Sequence, residues 1–236
     1  MNPIQSIHLI GCGGVGSYLL PALLKTFPIG HLHLWDGDKF EEKNIDRQLF
    51  GSAFLGVNKA EALMNTYVAD VQGGPKPGAV APHTSYFTHG SWSFTPGDLI
   101  VVAVDNHAAR RAVLAHADQD NLTVVLAMNE YTESQAILYN PKWSGTKLDP
   151  RVRYPLILTD ESDDPTRPRG CTGEVQQAHP QLALANAISA QLALAHLFWW
   201  TQTRRSLDRQ IAEDYAPVEH LWAAGNFTTK IAKDLR

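Results

Sequence analysis

The chain is predicted to be an α/β protein, with a Rossmann-like doubly wound, mostly parallel sheet, helices on both faces and an antiparallel edge. Three observations carry this expectation. Gly11-Cys12-Gly13-Gly14-Val15-Gly16 joins a short apolar run to a stretch with apolar residues at helical spacing. Asp36 closes the next apolar run, twenty residues past Gly16. Farther on, two strongly apolar runs, 98–104 and 122–127, are separated by a helical segment rich in alanine and arginine. Strands that alternate with helices pair in parallel, because each crossover helix returns the chain to the same end of the sheet.

Taken in order, residues 4–10 are apolar and bounded by glycine, as a buried strand is. Residues 14–27 read as a helix that Pro28-Ile29-Gly30 stops. Residues 31–35 alternate into a second strand with Asp36 at its carboxyl end. Residues 56–67 read as a helix entered through Gly56-Val57, and 71–82, containing Gly-Gly-Pro-Lys-Pro-Gly, as a surface loop. The strand at 98–104 runs into Asp105-Asn106 and a helix to about Ala117; 122–127 is another buried strand, and 133–139 supplies the antiparallel edge. Residues 141–170 hold five prolines, many charges and little periodicity, which predicts a mobile crossover loop. The most regular helix is 181–200, whose apolar face is assigned to Leu182, Leu184, Ala185, Ile188, Leu192, Ala195 and Phe198, facing the core or another subunit. One domain is expected: a nucleotide-binding core at 1–140, the loop at 141–170, and a region at 171–236 with Cys171 and the long helix.

Composition narrows the classes. A length of 236 residues, 44% hydrophobic and 19% charged, is that of a globular domain with a full core. A net charge of −4 argues against a nucleic-acid partner. No run is long and apolar enough for a membrane span and no leader is evident, so a cytoplasmic protein is expected. Two cysteines, Cys12 and Cys171, cannot build a zinc site from paired C-x-x-C motifs, and the ten histidines lack helical metal-ligand spacing. No zinc is expected; a metal would be Mg2+ arriving with a nucleotide.

The glycine motif with Asp36 is the dinucleotide fingerprint: glycines for the turn, a helix N-terminus for phosphate, a carboxylate for ribose hydroxyls. It is not a P-loop, since no Gly-Lys-Ser/Thr follows. A hydride-transfer enzyme would need nothing more in this half. Here Asp38, Asn44, Arg47, Gln48 and Lys59 follow, and Asp105 sits at the carboxyl end of a later strand, where a ligand's Mg2+ could be held. Arginine grips phosphate oxygens in a planar fork and lysine adds a point charge. Each residue alone reads as a surface charge. Together they suit a triphosphate that reacts.

In these motifs, Gly-x-Gly-Gly-x-Gly, Asp-x-Asp, Asn-x-x-Arg-Gln, Gly-x-x-Lys and Val-Asp-Asn, the sequence resembles the ThiF/MoeB family of ubiquitin-activating-enzyme-like adenylyltransferases. The resemblance covers residues 5–139 closely and 171–200 loosely. It looks nearer to bacterial types encoded beside ubiquitin-like genes, including the PRTRC type. The resemblance implies ATP and Mg2+, and attack on the α-phosphate by the C-terminal glycine carboxylate of a ubiquitin-like or sulfur-carrier protein. It further implies that Gly11, Gly13, Gly14 and Gly16 cradle the nucleotide, that Asp36 and Asp38 lie at the ribose side, that Asn44, Arg47, Gln48 and Lys59 meet the phosphates, and that Asp105 coordinates the metal. Cys171, in Arg-Gly-Cys-Thr-Gly-Glu, matches the family's acyl-accepting or sulfur-transfer cysteine, which would pass the carrier to a ubiquitin-conjugating-like enzyme. A homodimer is implied as well.

The chain departs from the pattern in three ways: the zinc-binding cysteine pairs are absent, little sequence precedes the first strand to donate an arginine to a neighbouring subunit, and the carrier-binding extension shrinks to 202–236. Arg110 and Arg111 read as a solvated helix face, Cys12 as a packing residue, Glu161-Ser162-Asp163-Asp164 as an acidic loop, and Trp199-Trp200 as core or interface. Asn129-Glu130-Tyr131 lies on the ligand-binding edge, within reach of an incoming C-terminal peptide. Three other functions remain open: adenylation of a peptide or tRNA-base carboxylate, dinucleotide-dependent oxidoreduction, and a catalytically inert scaffold.

Overall fold

The computed structural model describes residues 4–68, 77–160, 164, 182–206, 214, 216–223 and 225–235. Its centre is a mixed sheet of eight strands in the order β3-β2-β1-β4-β5-β6-β7-β8. The parallel part comprises β1 (Ile4–Ile10), β2 (Ile29–Trp35), β3 (Ala79–His83), β4 (Leu99–Val102) and β5 (Thr123–Asn129). Antiparallel strands β6 (Glu133–Tyr139), β7 (Pro217–Ala223) and β8 (Asn226–Ile231) extend it. Chain order reverses between β1 and β4, and such switch points open a crevice at the carboxyl ends of the strands.

The doubly wound, mostly parallel sheet is as the sequence predicts, and helices cover both faces. α1 (Gly14–Thr26), α2 (Lys59–Tyr67) and α6 (Ala183–Ser206) pack on one face, with α1 lying against α6 and α6 against β5 and β6. The other face carries α3 (His107–Asp120) and two short turns, α4 (Pro150–Arg153) and α5 (Leu156–Thr159). α7 (Ala232–Leu235) closes the chain, the Ala232 amide donating to the Ala216 carbonyl.

Four local expectations are corrected. The loop predicted at 71–82 ends in β3, which pairs with β2 from His31↔Ala79 to Trp35↔His83. Its prolines and glycines mask a five-residue edge strand, where a proline lacking an amide costs no ladder bond on the open side. The stretch from residue 141, predicted to be a mobile loop, is helical in pieces as far as Asp160: the 3-10 turn Pro141–Trp143, then α4 and α5. Prolines at the first helical positions start these turns rather than break them, since the missing amide has no partner there anyway. Trp143, Leu148 and Ile157 are buried, and Arg151 links Asp118, Asp149 and the Tyr139 hydroxyl. Next, 133–139 is not the edge: the C-terminal hairpin adds two strands beyond it, turning at Gly225 with φ +90°. Finally, the long helix buries Ala185, Asn186, Ser189, Ala190, Ala193, His196 and Leu197 against the sheet. Leu184 and Phe198, assigned to the apolar face, point outward at 57% and 47% exposure. Small and hydrogen-bonded side chains let the helix sit close: Ser189 donates to the Met128 carbonyl and Ser134 to that of Ala185.

The face away from α1 has an unusual filling over β1–β3. The His8 ring stacks on His33 at 4.3 Å between centroids, and Trp35 stacks on His83 at 3.7 Å. His33 Nδ1 lies 3.1 Å from His83 Nε2, and Trp92 packs on all four rings. Burial, with His8 and His83 nearby, pushes the His33 imidazole down to about 4, and burial lowers His83 too. Near neutral pH the His33 and His83 imidazoles are uncharged and pack as aromatic core.

Candidate functional site

The crevice at the β1/β4 switch point brings the glycine turn, the end of β2 and the end of β4 together. Backbone bonds hold the strand ends in place: the Gly11 amide donates to the Trp35 carbonyl at 2.8 Å and the Ala103 amide to that of Ile10 at 2.7 Å. Gly11 has φ +98°, and a Cβ there would collide with the Ala103 carbonyl. A Cβ on Gly16 would fall on the Gly11 carbonyl, so only glycine lets α1 begin this close to β1. Gly13 is the N-cap of α1 with no side-chain cap, which leaves the first-turn amides of Gly14 and Val15 directed to the crevice.

Asp36 is partly buried and accepts the Cys12 amide and the Asp38 amide, both at 2.8 Å. Burial raises its carboxyl to about 6, against the lowering pull of Lys59 and the two amides. Lys59, the first residue of α2, has a side chain 10% exposed, and its Nζ donates to Asp38 at 2.9 Å. Desolvation would lower its ammonium, but Asp36, Asp38 and Asp105 outweigh that and raise it, so it stays charged. Asp105, exposed just after β4, is near enough to Lys59 to add to this pull. Asn58 fixes this geometry: its amide donates to the carbonyls of Asp36 and Asp38, and its oxygen caps α2 at Ala60.

Residues 39–50 fold over the turn. Asn44 is buried, and its Oδ1 accepts the Glu41 amide in a capping box of the 3-10 turn Glu42–Asn44, so its oxygen shapes this loop. Arg47 reaches the Lys43 carbonyl and Asp46 with one terminal nitrogen. Gln48 is buried above Gly13 with Oε1 unpartnered. The structure therefore brings the glycines, Asp36, Asp38, Gln48, Lys59 and Asp105 around one crevice, with Asn44 and Arg47 in the loop that covers it. Cys171 lies outside the described residues, as do Glu161, Ser162 and Asp163.

Several residues here carry no motif. Asn186 is fully buried on α6; its amide donates to the Arg47 carbonyl and its Oδ1, without a partner, lies against Gly14. Read from sequence it only interrupts an apolar helix. Ser17 donates to the Gly14 carbonyl and accepts the Leu49 amide, tying loop to turn. Tyr86 lays its ring on Gly37 and donates its hydroxyl to Asp38. Arg110 is buried rather than solvated, bracing the Val104 carbonyl at 2.8 Å just before Asp105. Cys12 is fully buried, with its thiol pushed well up by burial and by Asp36, which makes it unreactive.

The set fits a nucleoside triphosphate: amides and an ammonium for phosphates, a partly buried carboxylate for ribose. For Mg2+, Asp105 is an exposed carboxylate at the right strand end, and this metal needs one or two carboxylates besides phosphate oxygens and water. Among the described residues no group of three or more His, Cys, Asp or Glu is arranged to hold a metal by itself. No helix among them is long and apolar enough to cross a membrane.

Comparison with known proteins agrees with the arrangement. A profile described as "ThiF family" matches residues 4–206. Ubiquitin-like modifier-activating enzyme 5 of Drosophila willistoni is 32% identical over 135 residues, covering 50% of this chain and 31% of that protein. Adenylyltransferase and sulfurtransferase UBA4 of Yarrowia lipolytica is 28% identical over 144 residues, 58% of this chain and 34% of that protein. Among solved structures, E. coli MccB with ATP superposes with a TM-score of 0.66 at 17% identity, covering 96% of this chain and 63% of that one. PaaA gives 0.61 at 17% identity, covering 96% and 62%. These structural likenesses show a shared fold. The chain spans about a third of the curated relatives it matches.

Proposed function

The chain belongs to the ThiF family, and on that premise we propose that it is an ATP-dependent adenylyltransferase acting on the C-terminal glycine carboxylate of a ubiquitin-like or sulfur-carrier protein. The observation that carries this is Lys59, a nearly buried, charged ammonium among Asp36, Asp38 and Asp105 beside the glycine turn. A hydride-transfer site has no use for it. The carboxylate oxygen attacks the α-phosphorus of ATP, the bond to the β-phosphate's bridging oxygen breaks, and pyrophosphate leaves as the acyl-adenylate forms. The nucleophile is already ionised, so positioning and charge neutralisation suffice. The Gly14 and Val15 amides, Lys59, Gln48 and Arg47 hold the phosphates, with Asn44 shaping the loop that carries the last two; Asp36 takes the ribose. Asp105 would hold Mg2+, which would neutralise phosphate charge.

Labelled pyrophosphate exchange into ATP, dependent on the carrier and Mg2+, tests this directly. Absence of exchange with every candidate carrier sinks the proposal, and stabilisation by NAD rather than by ATP with Mg2+ would favour an oxidoreductase. A short peptide carboxylate as acceptor is the second reading, supported by the likeness to MccB, which has been crystallised with MccA. After adenylation, the Cys171 thiolate attacks the acyl carbon, AMP leaves, and the thioester passes to a conjugating enzyme. Cys171→Ala is expected to retain pyrophosphate exchange and lose a reductant-sensitive carrier conjugate; a conjugate that persists eliminates the thioester step.

Asp36 gives a pH signature. Ribose hydroxyls donate to the ionised carboxylate, and the group is half protonated near pH 6. Below that, nucleotide affinity should fall by up to about tenfold per pH unit. The sign for folding is opposite: a carboxyl raised in the folded state adds stability as pH falls from about 6 toward its ordinary value. Weaker binding at low pH is thus separable from unfolding by Asp36's own contribution. Calorimetric titration across this range checks it; a flat profile in the wild type, or the same slope in Asp36→Asn, refutes the assignment.

A homodimer is proposed from the outward stripe of α6. Leu184, Ile188, Gln191, Ala195 and Phe198 share one side, and Ile45, Leu49 and Leu55 are also exposed. Large apolar side chains left exposed along one side of a helix commonly mark protein contacts. Sedimentation should show a dimer that Leu184→Glu with Phe198→Glu converts to monomer; a monomeric wild type at high concentration rejects it.

A further inference from the structure

A second cavity lies two strands along the same carboxyl edge as the nucleotide crevice. It measures about 320 Å3 and sits between the β5–β6–β7 surface and the α4–α5 turns. Met128, Tyr154, Leu156 and Leu221 provide a largely apolar lining. Two further lining residues bring donors with spare capacity: Asn129 Nδ2 and Arg153 NH1 are buried without hydrogen-bond partners. Buried donors left unpaired cost free energy, and sites that tolerate them commonly have a ligand to complete them.

The charge of the cavity decides what kind of acceptor fits. Arg153 already pairs with the buried Glu219 through its other terminal nitrogen, Lys230 meets the same carboxylate at 2.6 Å, and Glu130 and Glu133 both line the cavity. The net charge around the donors is therefore not positive, and a free carboxylate gains little there. Neutral carbonyl oxygens gain a hydrogen bond without a charge conflict. An apolar lining with two donors for neutral carbonyls describes a polypeptide backbone carrying one large apolar side chain.

We propose that this cavity binds the tail of the acyl substrate, taking one large apolar side chain of an extended chain while Asn129 and Arg153 donate to its backbone carbonyls. This rests on the adenylation reading, because that reading puts the chain's terminal carboxylate at the glycine turn. The turn follows β1, and the cavity lies about three strand spacings away, roughly 14 Å. An extended chain covers about 3.3–3.6 Å per residue, so the apolar residue lies about four positions before the terminal carboxylate. Leu156 on the rim is 38% exposed, so a larger residue there can narrow the cavity without disturbing the core.

The experiment uses the whole protein with ATP and Mg2+, and seven-residue free-acid peptides ending in glycine, each with benzoylphenylalanine at a different position. Photolabelling should be saturable, should map to the segments of Met128, Tyr154, Leu156 or Leu221, and should peak about four positions before the end. Leu156→Trp should reduce it about tenfold or more and leave stabilisation by ATP unchanged. In matched leucine and alanine peptides, the same variant should shift preference from leucine toward alanine, a change that a merely structural role would not produce. Labelling elsewhere, equal labelling from every position, no saturable labelling, or indifference to Leu156→Trp overturns the proposal. Pyrophosphate exchange on the same samples separates the two claims: labelling without exchange defeats adenylation alone, and exchange without cavity labelling defeats the cavity alone.

Discussion

Replacing Lys59 with alanine is expected to lower kcat/KM for acyl-adenylate formation by about 10²–10³-fold, the usual cost of losing one donor aimed at developing charge. The side chain is 10% exposed and held at 2.9 Å from Asp38, so its ammonium is already in position before substrate arrives. Losing it also removes the strongest influence holding the Asp36 carboxyl down, which moves that group further toward protonation. The variant should therefore lose nucleotide affinity as well as rate, and recover some affinity at higher pH. Folding should suffer much less, since Asp38 is half exposed and can be solvated. Pyrophosphate exchange and nucleotide titration measure both effects. Near wild-type exchange in Lys59→Ala would remove the residue from the mechanism.

The second large effect is on stability. Gly16→Ala puts a methyl group onto the Gly11 carbonyl, a backbone atom that cannot swing aside as a side chain can. Gly11 is itself clamped by the Trp35 carbonyl and packed against Ala103. The turn must open, at a cost of about 3 kcal/mol or more, at the severe end for a single added methyl. Gly51→Ala is the control: nothing lies within 4 Å of the position a Cβ would take, and its φ of −75° suits any residue. That change should stay within about 0.5 kcal/mol. Urea unfolding of the two variants compares them, and equal midpoints would mean that the close approach of α1 to β1 is not required.

How far the site was legible depends on where each residue's partner lies. The glycine turn and Asp36 belong to one strand-turn-helix-strand unit, and their placement follows from local geometry. Lys59 was also visible, because it opens the helix that the same unit leads into. Asn186 was not: its meaning comes from Gly14 and Arg47, 139 residues away from the latter, and a lone asparagine in an apolar helix carries no spacing signal. Tyr86 was hidden likewise, since it reaches Asp38 across 48 residues from a segment without periodicity. Arg110 was misjudged because a helical arginine is normally solvated, whereas here the Val104 carbonyl and His107 hold it inside. A signal for the C-terminal hairpin did exist in the glycine-asparagine pair at 225–226 between alternating runs.

By itself, the sequence determined the parallel α/β core and the glycine turn and charged residues that gather at one of its strand ends. These depend on period, turn glycines and charges close together in the chain, and local physics dictates them. Only the tertiary structure decided which face of α6 meets the sheet, that residues 141–160 pack as helical turns, and that Asn186, Tyr86 and Arg110 belong around the crevice. The reason is physical: side-chain pattern tells how apolar a face is, but close packing chooses the face that fits. On α6 the small residues with Ser189 and His196 fit against β5 and β6, and the larger Leu184 and Phe198 were left outside.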